Sequence, residues 1–271
     1  MGMMQSAQEM ACASRGRQSA LWMVPLPALA IALLATCLAA SPAIAQPAPV
    51  RPGALPFAEG EELTYQVRLG RFGQRGQGTM TIEDGAMVRG RDTYLLSFDF
   101  ASRVGPFTIS DRARSWLDPE RMTTMRYEKH ESSPVSSRHE DVDTYPAEDR
   151  WASEQGATGV LTTENPLDEL SFLYYIRTLE LEPGAEYEVA RHFDAARNPV
   201  VIRVIGREMI EVPAGEFETI VVEMRVKDAG RFGGTGVLRL YLWDHGCRVP
   251  VQIESSMPVV GSVVLSLVSR T

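Results

Sequence analysis

Tyr241-Leu-Trp-Asp-His-Gly-Cys-Arg-Val-Pro-Val-Gln-Ile253 is the most distinctive stretch of the chain. Two short apolar runs flank a polar turn, a pattern that predicts a late β-hairpin. Tyr241 and Trp243 lie two residues apart, so both are expected on one face of the first strand, while residues 244–246 supply turn chemistry. Pro250 marks an edge or the start of the second strand. A hairpin of this kind indicates a fold class but names no reaction.

The alternation of apolar and polar residues in this hairpin recurs along the chain. It is strict over residues 62–69, which is typical of a half-buried strand, and residues 94–100 form another strand with an aromatic face. Asp111 is expected on the strand that follows, whereas the polar, serine-rich segment 130–140 is typical of an exposed loop or hairpin end. About ten strands joined by short turns predict an all-β, mainly antiparallel meander that curves into a barrel or half-barrel.

One helix is expected among these strands, over residues 166–178. Asn165 can cap it and Pro166 suits its first position. Apolar residues at helical spacing follow, and further apolar residues lie off that stripe. The helix is therefore expected to be covered on more than one side, packed against the concave face of the sheet. The apolar residues are Leu167, Leu170, Phe172, Leu173, Tyr174, Tyr175 and Ile176.

The first 45 residues are typical of a secretory signal peptide. Arg15 and Arg17 precede an apolar run over residues 21–40, and Ala43-Ile-Ala45 fits the small-x-small cleavage pattern. Residues 46–56 contain four prolines and predict an extended leader, after which 57–271 is expected to form a single β-rich domain. A periplasmic location follows, with no membrane span after cleavage. Two alternatives are a transmembrane anchor and a lipid anchor on Cys37.

Charge and cysteine content narrow the classes of function. Removal of residues 1–45 takes away two arginines and one glutamate, which leaves 25 basic and 34 acidic residues and a net charge of −9. This balance argues against binding of nucleic acid or of anionic lipid surfaces. Cys247 becomes the one cysteine, so no intramolecular disulfide is expected. The four histidines form no local ligand pair, and the sequence predicts neither a metal site nor a cofactor.

Five motifs together resemble one bacterial family, that of domain of unknown function 3108. The motifs are Gly60-Glu-Glu-Leu-Thr-Tyr65, Asp111 with Ser115 and Asp118, Leu170-Ser-Phe-Leu-Tyr-Tyr-Ile-Arg177, Val212-Pro-Ala-Gly-Glu-Phe217, and Trp243-x-x-x-x-Arg248-Val-Pro-Val251. The resemblance spans about 57 to 268 and implies an exported, β-rich protein without an assigned activity. The predicted meander with one helix is also similar, in architecture alone, to the half-barrels of periplasmic lipoprotein carriers. A shared fold does not carry function with it.

Apolar surface on the predicted strands and helix favours a binding protein over an enzyme. The expected activity is non-enzymatic binding of an apolar, lipid-like ligand or of an envelope protein partner, although a filled core would use the same residues. The alternative is a periplasmic hydrolase that uses acidic residues or Cys247. The polar residues of the motifs are expected to be turn residues, hydrogen-bond acceptors or partners of Arg112, Arg114 and Arg248. The candidate ligand-binding residues are Tyr65, Phe98, Phe100, Tyr127, Leu170, Leu173, Tyr241 and Trp243, and the polar motif residues are Asp111, Asp118, Asp244 and Arg248.

The signal peptide predicts a mature protein that begins at Gln46. Mass spectrometry of protein isolated from the periplasm should give the mass of residues 46–271, because the small-x-small site ends at Ala45. A diacylglycerol adduct on Cys37 would instead identify a lipoprotein, and an intact residue 1 would identify an uncleaved anchor.

Overall fold

The computed structural model describes residues 55–70, 73–104, 107–133, 136–228, 234–257 and 261–271. The predicted signal peptide and most of the predicted leader, residues 1–54, lie outside the described residues. Within the described ranges, no helix has both the length and the hydropathy that a membrane span requires.

In the described part of the chain, fourteen antiparallel strands form one continuous sheet, in which most chain neighbours are also spatial neighbours. The order across the sheet is β8-β7-β6-β5-β4-β3-β2-β1-β14-β13-β12-β11-β10-β9, so it is an open, curved half-barrel whose two edges are β8 and β9. Helix α1 (Glu169–Arg177) lies between these two edge strands in the chain. The strands are β1 (Glu62–Leu69), β2 (Gln74–Val88), β3 (Arg91–Val104), β4 (Phe107–Asp118), β5 (Thr123–Ser133), β6 (Ser136–Tyr145), β7 (Arg150–Ser153), β8 (Thr158–Val160), β9 (Glu186–Val189), β10 (Val200–Val212), β11 (Gly215–Asp228), β12 (Gly234–Trp243), β13 (Pro250–Met257) and β14 (Gly261–Arg270).

The predicted fold class is confirmed, but the predicted strand number of about ten is too low. Part of the difference lies in 130–140, which was expected to be an exposed loop or hairpin end and in which the paired ends of β5 and β6 lie. There β5 and β6 continue in register through the polar stretch, and His130 lies opposite His139. Strands with polar residues on both faces lack the alternation that marks a half-buried strand, so sequence periodicity does not distinguish them from loops.

The two faces of the sheet differ in burial. On β1, residues at every second position are buried, including Tyr65 and Val67, and the register continues their face to Met80 on β2 and Leu96 on β3. We call this side, on which α1 packs against β3 and β4, the inner face. The opposite side is the outer face. The core therefore lies inside the curve of the sheet, as the alternation on β1 predicts.

Helix α1 begins three residues later than the sequence predicts, because Asp168 caps it instead of Asn165. The Asp168 carboxylate accepts hydrogen bonds from the backbone N–H groups of Leu170 and Ser171, and the Ser171 hydroxyl accepts from the Asp168 N–H. The other carboxylate oxygen accepts from Ser115 on β4 and Thr124 on β5, at 2.5 and 2.6 Å. Burial raises the pKa of Asp168, and these hydrogen bonds oppose that effect. The cap thus fastens the start of α1 to the sheet.

The end of α1 is held by the buried guanidinium of Arg177. Its Nη1 and Nη2 atoms donate to the two carboxylate oxygens of Glu61 at 2.6 and 2.7 Å. Nη2 also donates to the main-chain carbonyls of Pro56 and Cys247, both at 2.9 Å. The ring of Phe57 lies 5.2 Å from the guanidinium carbon. One side chain therefore joins the helix, the residues before β1, and the turn between β12 and β13.

The predicted late hairpin is confirmed and forms β12 and β13, with Leu242 opposite Pro250 at the start of the second strand. Arg248 lies in its turn with φ at 45°, a conformation that is uncommon outside glycine. Its guanidinium donates hydrogen bonds to the main-chain carbonyls of Arg177 and Leu179. The hairpin turn therefore supplies a cation to the carboxyl end of the helix, where the helix dipole favours positive charge.

Replacement of Arg177 tests this clamp. Arg177→Met should lower the free energy of unfolding by about 3–5 kcal/mol, because it leaves the Glu61 carboxylate without its buried cationic partner. Urea denaturation followed by tryptophan fluorescence measures the change. Cys247→Ser is the control and should alter stability by less than about 1 kcal/mol, because the clamp uses the main-chain carbonyl of that residue. Equal losses in the two variants would contradict the assignment.

Candidate functional site

A cluster of charged side chains lies on the inner face beside the start of α1. Four carboxylates and three cations belong to it, and most of their side chains are less than a quarter exposed. Burial of charged groups on the core side of a sheet costs free energy unless the charges are paired, so the pairing within this set determines whether it is stable. We call this set the inner ion cluster: Asp111, Lys129, Glu131, Arg138, Glu140, Glu169 and Arg197.

Strand register brings five members of the cluster together. Asp111 on β4 lies opposite Glu131 on β5, which lies opposite Arg138 on β6. Lys129 and Glu140 form the next pair on the same face of β5 and β6. Residues two apart on a strand share a face, so the neighbouring rungs stack into one patch. The other two members come from outside the sheet: Glu169 is the first residue of α1, and Arg197 ends a short 3-10 turn over residues 195–197.

Lys129 is central to the cluster, with its side chain 8% exposed. Its Nζ lies 2.7 Å from a carboxylate oxygen of Glu169, 3.2 Å from one of Glu131 and 3.9 Å from one of Asp111. Three carboxylates around one ammonium offset the cost of removing that charge from water. The amine is therefore positioned between the sheet and the helix.

The remaining ion pairs extend the cluster toward β6. Arg197 contacts the second oxygen of Glu169 at 2.7 Å, and Arg138 contacts Glu140 at 3.0 Å. Burial raises the pKa of Glu140, while the positive charge of Arg197 opposes the increase. The phenol of Tyr127 donates a hydrogen bond to Glu169 at 3.3 Å. The cluster thus has polar contacts with the core as well as with solvent.

Apolar side chains adjoin the cluster on the same face. Phe98 and Phe100 on β3 and Ile109 on β4 belong to the inner face by register. On α1, which packs on this face, Leu173 follows Glu169 by about one helical turn and so shares its side of the helix. All four pack on the core but stay partly exposed. Phe100 lies directly opposite Asp111 of the cluster. We call these four residues the inner apolar patch.

The predicted ligand-binding residues do not form one surface. Tyr65, Tyr127 and Leu170 are at most 4% exposed and lie in the core, where the Tyr65 hydroxyl donates to the Pro250 carbonyl at 2.7 Å. Phe98, Phe100 and Leu173 lie in the inner apolar patch.

Tyr241 and Trp243 lie instead on the outer face, because Leu240 and Leu242 take the core side of β12. Sequence alternation fixes which residues share a face but not which face is the core, and both alternating sets of β12 are apolar. Trp243 packs against Phe217, His245 and Arg270 on that outer side.

The polar motif residues have separate structural contacts. Asp118 accepts backbone hydrogen bonds in the turn after β4, and Asp244 pairs with Arg207 at 2.7 Å. Arg112 and Arg114, expected as partners of the motif carboxylates, both pair with Asp99 on the outer face. These partners come from other strands, so the motif spacing does not reveal them. Only Asp111 of the motif residues enters the inner ion cluster.

Sequence reasoning missed six of the seven members of the cluster: Lys129, Glu131, Arg138, Glu140, Glu169 and Arg197. A signal was present, because Lys129 and Glu131 follow Tyr127 with a period of two, and Glu140 precedes Val142 in the same way. Charged residues that continue the apolar face of a strand predict polar groups inside a sheet. Within the described ranges, no group of three or more His, Cys, Asp or Glu side chains is arranged to hold a metal ion.

Comparison with known proteins identifies one family. The family model described as Protein of unknown function (DUF3108) matches residues 64–268. No curated protein matches the chain.

Three solved structures are matched over most of their length, all at TM-scores below 0.5. A β-barrel-like protein of domain of unknown function DUF1849 from Brucella abortus has a TM-score of 0.49 and 11% identity, over 78% of this chain and 96% of that one. A protein from Bacteroides fragilis, described as exported and YmcC-like in fold, has a TM-score of 0.32 and 11% identity, over 80% of this chain and 98% of that one. A protein from Parabacteroides distasonis, described as a lipoprotein, has a TM-score of 0.29 and 9% identity, over 79% and 96%. Similarity at this level gives no information about the activity of this chain.

The two lysines of the chain provide a test of the cluster. Lys129 should react with an amine-specific acetylating reagent at least about tenfold more slowly than the exposed Lys227, because its ion pairs must first open at a cost of about 1.4 kcal/mol or more. Peptide mass spectrometry after short labelling times measures both rates in one sample. In urea the two rates should become equal. Equal rates in the native protein would show that Lys129 is not held as described.

Proposed function

The chain belongs to the DUF3108 family of proteins of unknown function, as its five motifs predict, and from that premise we propose that it binds a lipid-like amphiphile in the bacterial envelope. The ligand would lie on the inner face of the half-barrel. Its apolar part would cover the inner apolar patch, and its polar head would contact the inner ion cluster.

The main support for this proposal is that the inner apolar patch and the inner ion cluster are directly adjacent. Phe100 and Asp111 are opposite each other on β3 and β4, and the register places Phe98, Ala113 and Lys129 along the next rung. Ligand sites in proteins combine apolar walls with a few convergent polar groups. An amphiphile has the same division, so one molecule can satisfy both sides of the junction.

The burial of α1 supports this placement over one directly beneath the helix. Leu170, Phe172 and Ile176 are at most 4% exposed and belong to the hydrophobic core. Side chains in close-packed cores leave few voids, so a ligand there would require displacement of the helix. Leu173 remains partly exposed beside the sheet, and this side of α1 is the one that the proposal uses.

The energy available from the patch is modest. Contact with about six methylenes would contribute about 5 kcal/mol before the cost of ordering the ligand. Apolar contact alone would give weak binding, so the polar head must contribute as well. The proposal therefore favours amphiphiles over hydrocarbons.

Export to the envelope is part of the same proposal and rests on the pattern of residues 1–45. The net charge of −9 predicted for the mature chain supports a carrier that does not adsorb to anionic membranes. A lipid-like ligand would then be exchanged through solution or through an envelope protein partner.

A second candidate is a periplasmic hydrolase, favoured by one observation. Burial raises the pKa of Glu140, which lies in a group with Asp111, Glu131 and Glu169. A carboxyl group with a raised pKa can act as a general acid. Cys247 is remote from that group. The carbonyl of Cys247 contacts Arg177, the last residue of α1, whereas Glu169 is the first residue of that helix. The two ends of the helix are about 12 Å apart along its axis. The acidic and thiol versions of the hydrolase are therefore separate hypotheses.

The binding proposal predicts a co-purifying ligand. Native mass spectrometry of protein isolated from the periplasm should show an adduct, and organic extraction should release an amphiphile. Titration with the probe N-phenyl-1-naphthylamine should give binding that the extracted lipid displaces. Phe100→Ser should weaken probe binding about tenfold, because it removes most of the transfer free energy of one aromatic ring.

Trp243→Ser is the matched control, since Trp243 is a half-buried aromatic residue on the outer face. It should leave the affinity for the probe within about twofold, a change of roughly 0.4 kcal/mol. Equal effects of the two substitutions, or absence of both adduct and probe binding, would refute the proposal. Turnover of ester or glycoside substrates that Glu140→Gln abolishes would favour the hydrolase.

A further inference from the structure

Two histidines meet on the outer face of the sheet, away from the inner ion cluster. His130 on β5 and His139 on β6 are directly opposite in the ladder, and both are exposed. Their Nδ1 atoms lie 3.0 Å apart, with ring centroids 4.0 Å apart and ring planes inclined at 56°. The nine-residue separation of these histidines gives no recognisable ligand motif, so the sequence predicts no metal here. The hairpin ladder creates the pair.

The distance between the two nitrogens is close to that between two neighbouring ligand atoms on one transition-metal ion. Metal–imidazole bonds are about 2.0–2.1 Å long, so nitrogens 3.0 Å apart would subtend about 91–97° at a shared metal. A tetrahedral ion prefers a ligand–metal–ligand angle of about 109°. With the same bond lengths, that angle requires the two nitrogens to be about 3.3–3.4 Å apart. The observed distance is closer to the right angle of tetragonal Cu²⁺ or Ni²⁺ sites.

We propose that His130 and His139 form a surface site for a tetragonal divalent transition metal, Cu²⁺ in preference to Zn²⁺, with both Nδ1 atoms as ligands. Water completes the coordination, because the described residues contain no metal-binding group of three or more protein ligands. Each imidazole binds in its neutral form through the nitrogen lone pair, and the hydrogen bond between the two rings is lost.

The surroundings are compatible with a cation. Glu128 and Asp141 are opposite each other on the next rung of the same face, where their carboxylates can accept hydrogen bonds from metal-bound water. Arg112 lies opposite His130 on β4, but its guanidinium pairs with Asp99 at 2.9 Å. His130 also lines a groove on the outer face together with Asp99, and both imidazoles are exposed. Solvent access to the site is therefore open.

Copper titration of the untagged, chelator-treated mature protein tests the proposal. Isothermal titration with CuCl₂ should show one equivalent bound, and electron paramagnetic resonance should show nitrogen ligation at a tetragonal centre. His130→Gln and His139→Gln should each weaken binding at least tenfold, since loss of even an outer partner of a metal ligand costs about 10–100-fold. Zn²⁺ should bind at least about tenfold more weakly than Cu²⁺.

His245→Gln is the matched control, because His245 is an exposed histidine in the turn between β12 and β13, and its variant should bind copper like the wild type. All three substitutions are at exposed positions, so unfolding should not confuse the result; thermal melts verify this. Two outcomes would overturn the proposal: a dissociation constant for Cu²⁺ weaker than about 100 μM, or full copper binding by the His130→Gln, His139→Gln double variant. The test uses neither the lipid-like ligand nor the inner face, so its result is independent of the proposed function.

Discussion

The buried guanidinium of Arg177 is the contact on which the arrangement of helix and sheet depends. An arginine with a side chain 1% exposed is stable only if nearly all its donors find acceptors, and here the acceptors come from distant parts of the chain: Glu61, Pro56 and Cys247. The position of the helix end therefore depends on both the residues before β1 and the turn after β12. Only β14 and β13 lie between β1 and β12 in the sheet order, so these contacts fasten the helix to the central strands of an open sheet, which lacks the closure that stabilises a full barrel.

The opposite end of α1 couples the fold to the candidate site. Asp168 and Glu169 are adjacent at the helix N-terminus, where the helix dipole favours negative charge. Asp168 binds the sheet through Ser115 and Thr124, and Glu169 projects to Lys129 and Arg197. The same cap that starts the helix therefore positions a carboxylate of the inner ion cluster. Loss of the cap would disturb both the helix and the electrostatics of the site.

The sequence predicts the elements with strong local patterns and misses those set by distant partners. Alternation identifies β1 and the late hairpin, since each has a half-buried strand with a clear period of two. Asn165 and Asp168 are both suitable caps, and only the hydroxyls of β4 and β5 decide between them. The strands within 130–140 have polar residues on both faces, so apolar alternation does not reveal them, although the period of two continues from Tyr127 through Lys129 to Glu131. For the site, the sequence predicts Phe98, Phe100, Leu173 and Asp111 but not their polar neighbours.

The placement of charge on the inner face is the feature that local folding rules explain least. On β5, Tyr127 is followed on the same face by Lys129 and then Glu131, so an apolar stripe becomes ionic within four residues. Apolar side chains at these positions would avoid the desolvation cost of the ion pairs. Natural proteins depart from such rules mainly at functional or strained sites. The backbone around these residues is regular, and the positive-φ residues lie elsewhere, in turns and at the bulge of β2. Backbone strain therefore does not account for the charges, which is the reason that the proposed function uses the boundary between Phe100 and Asp111.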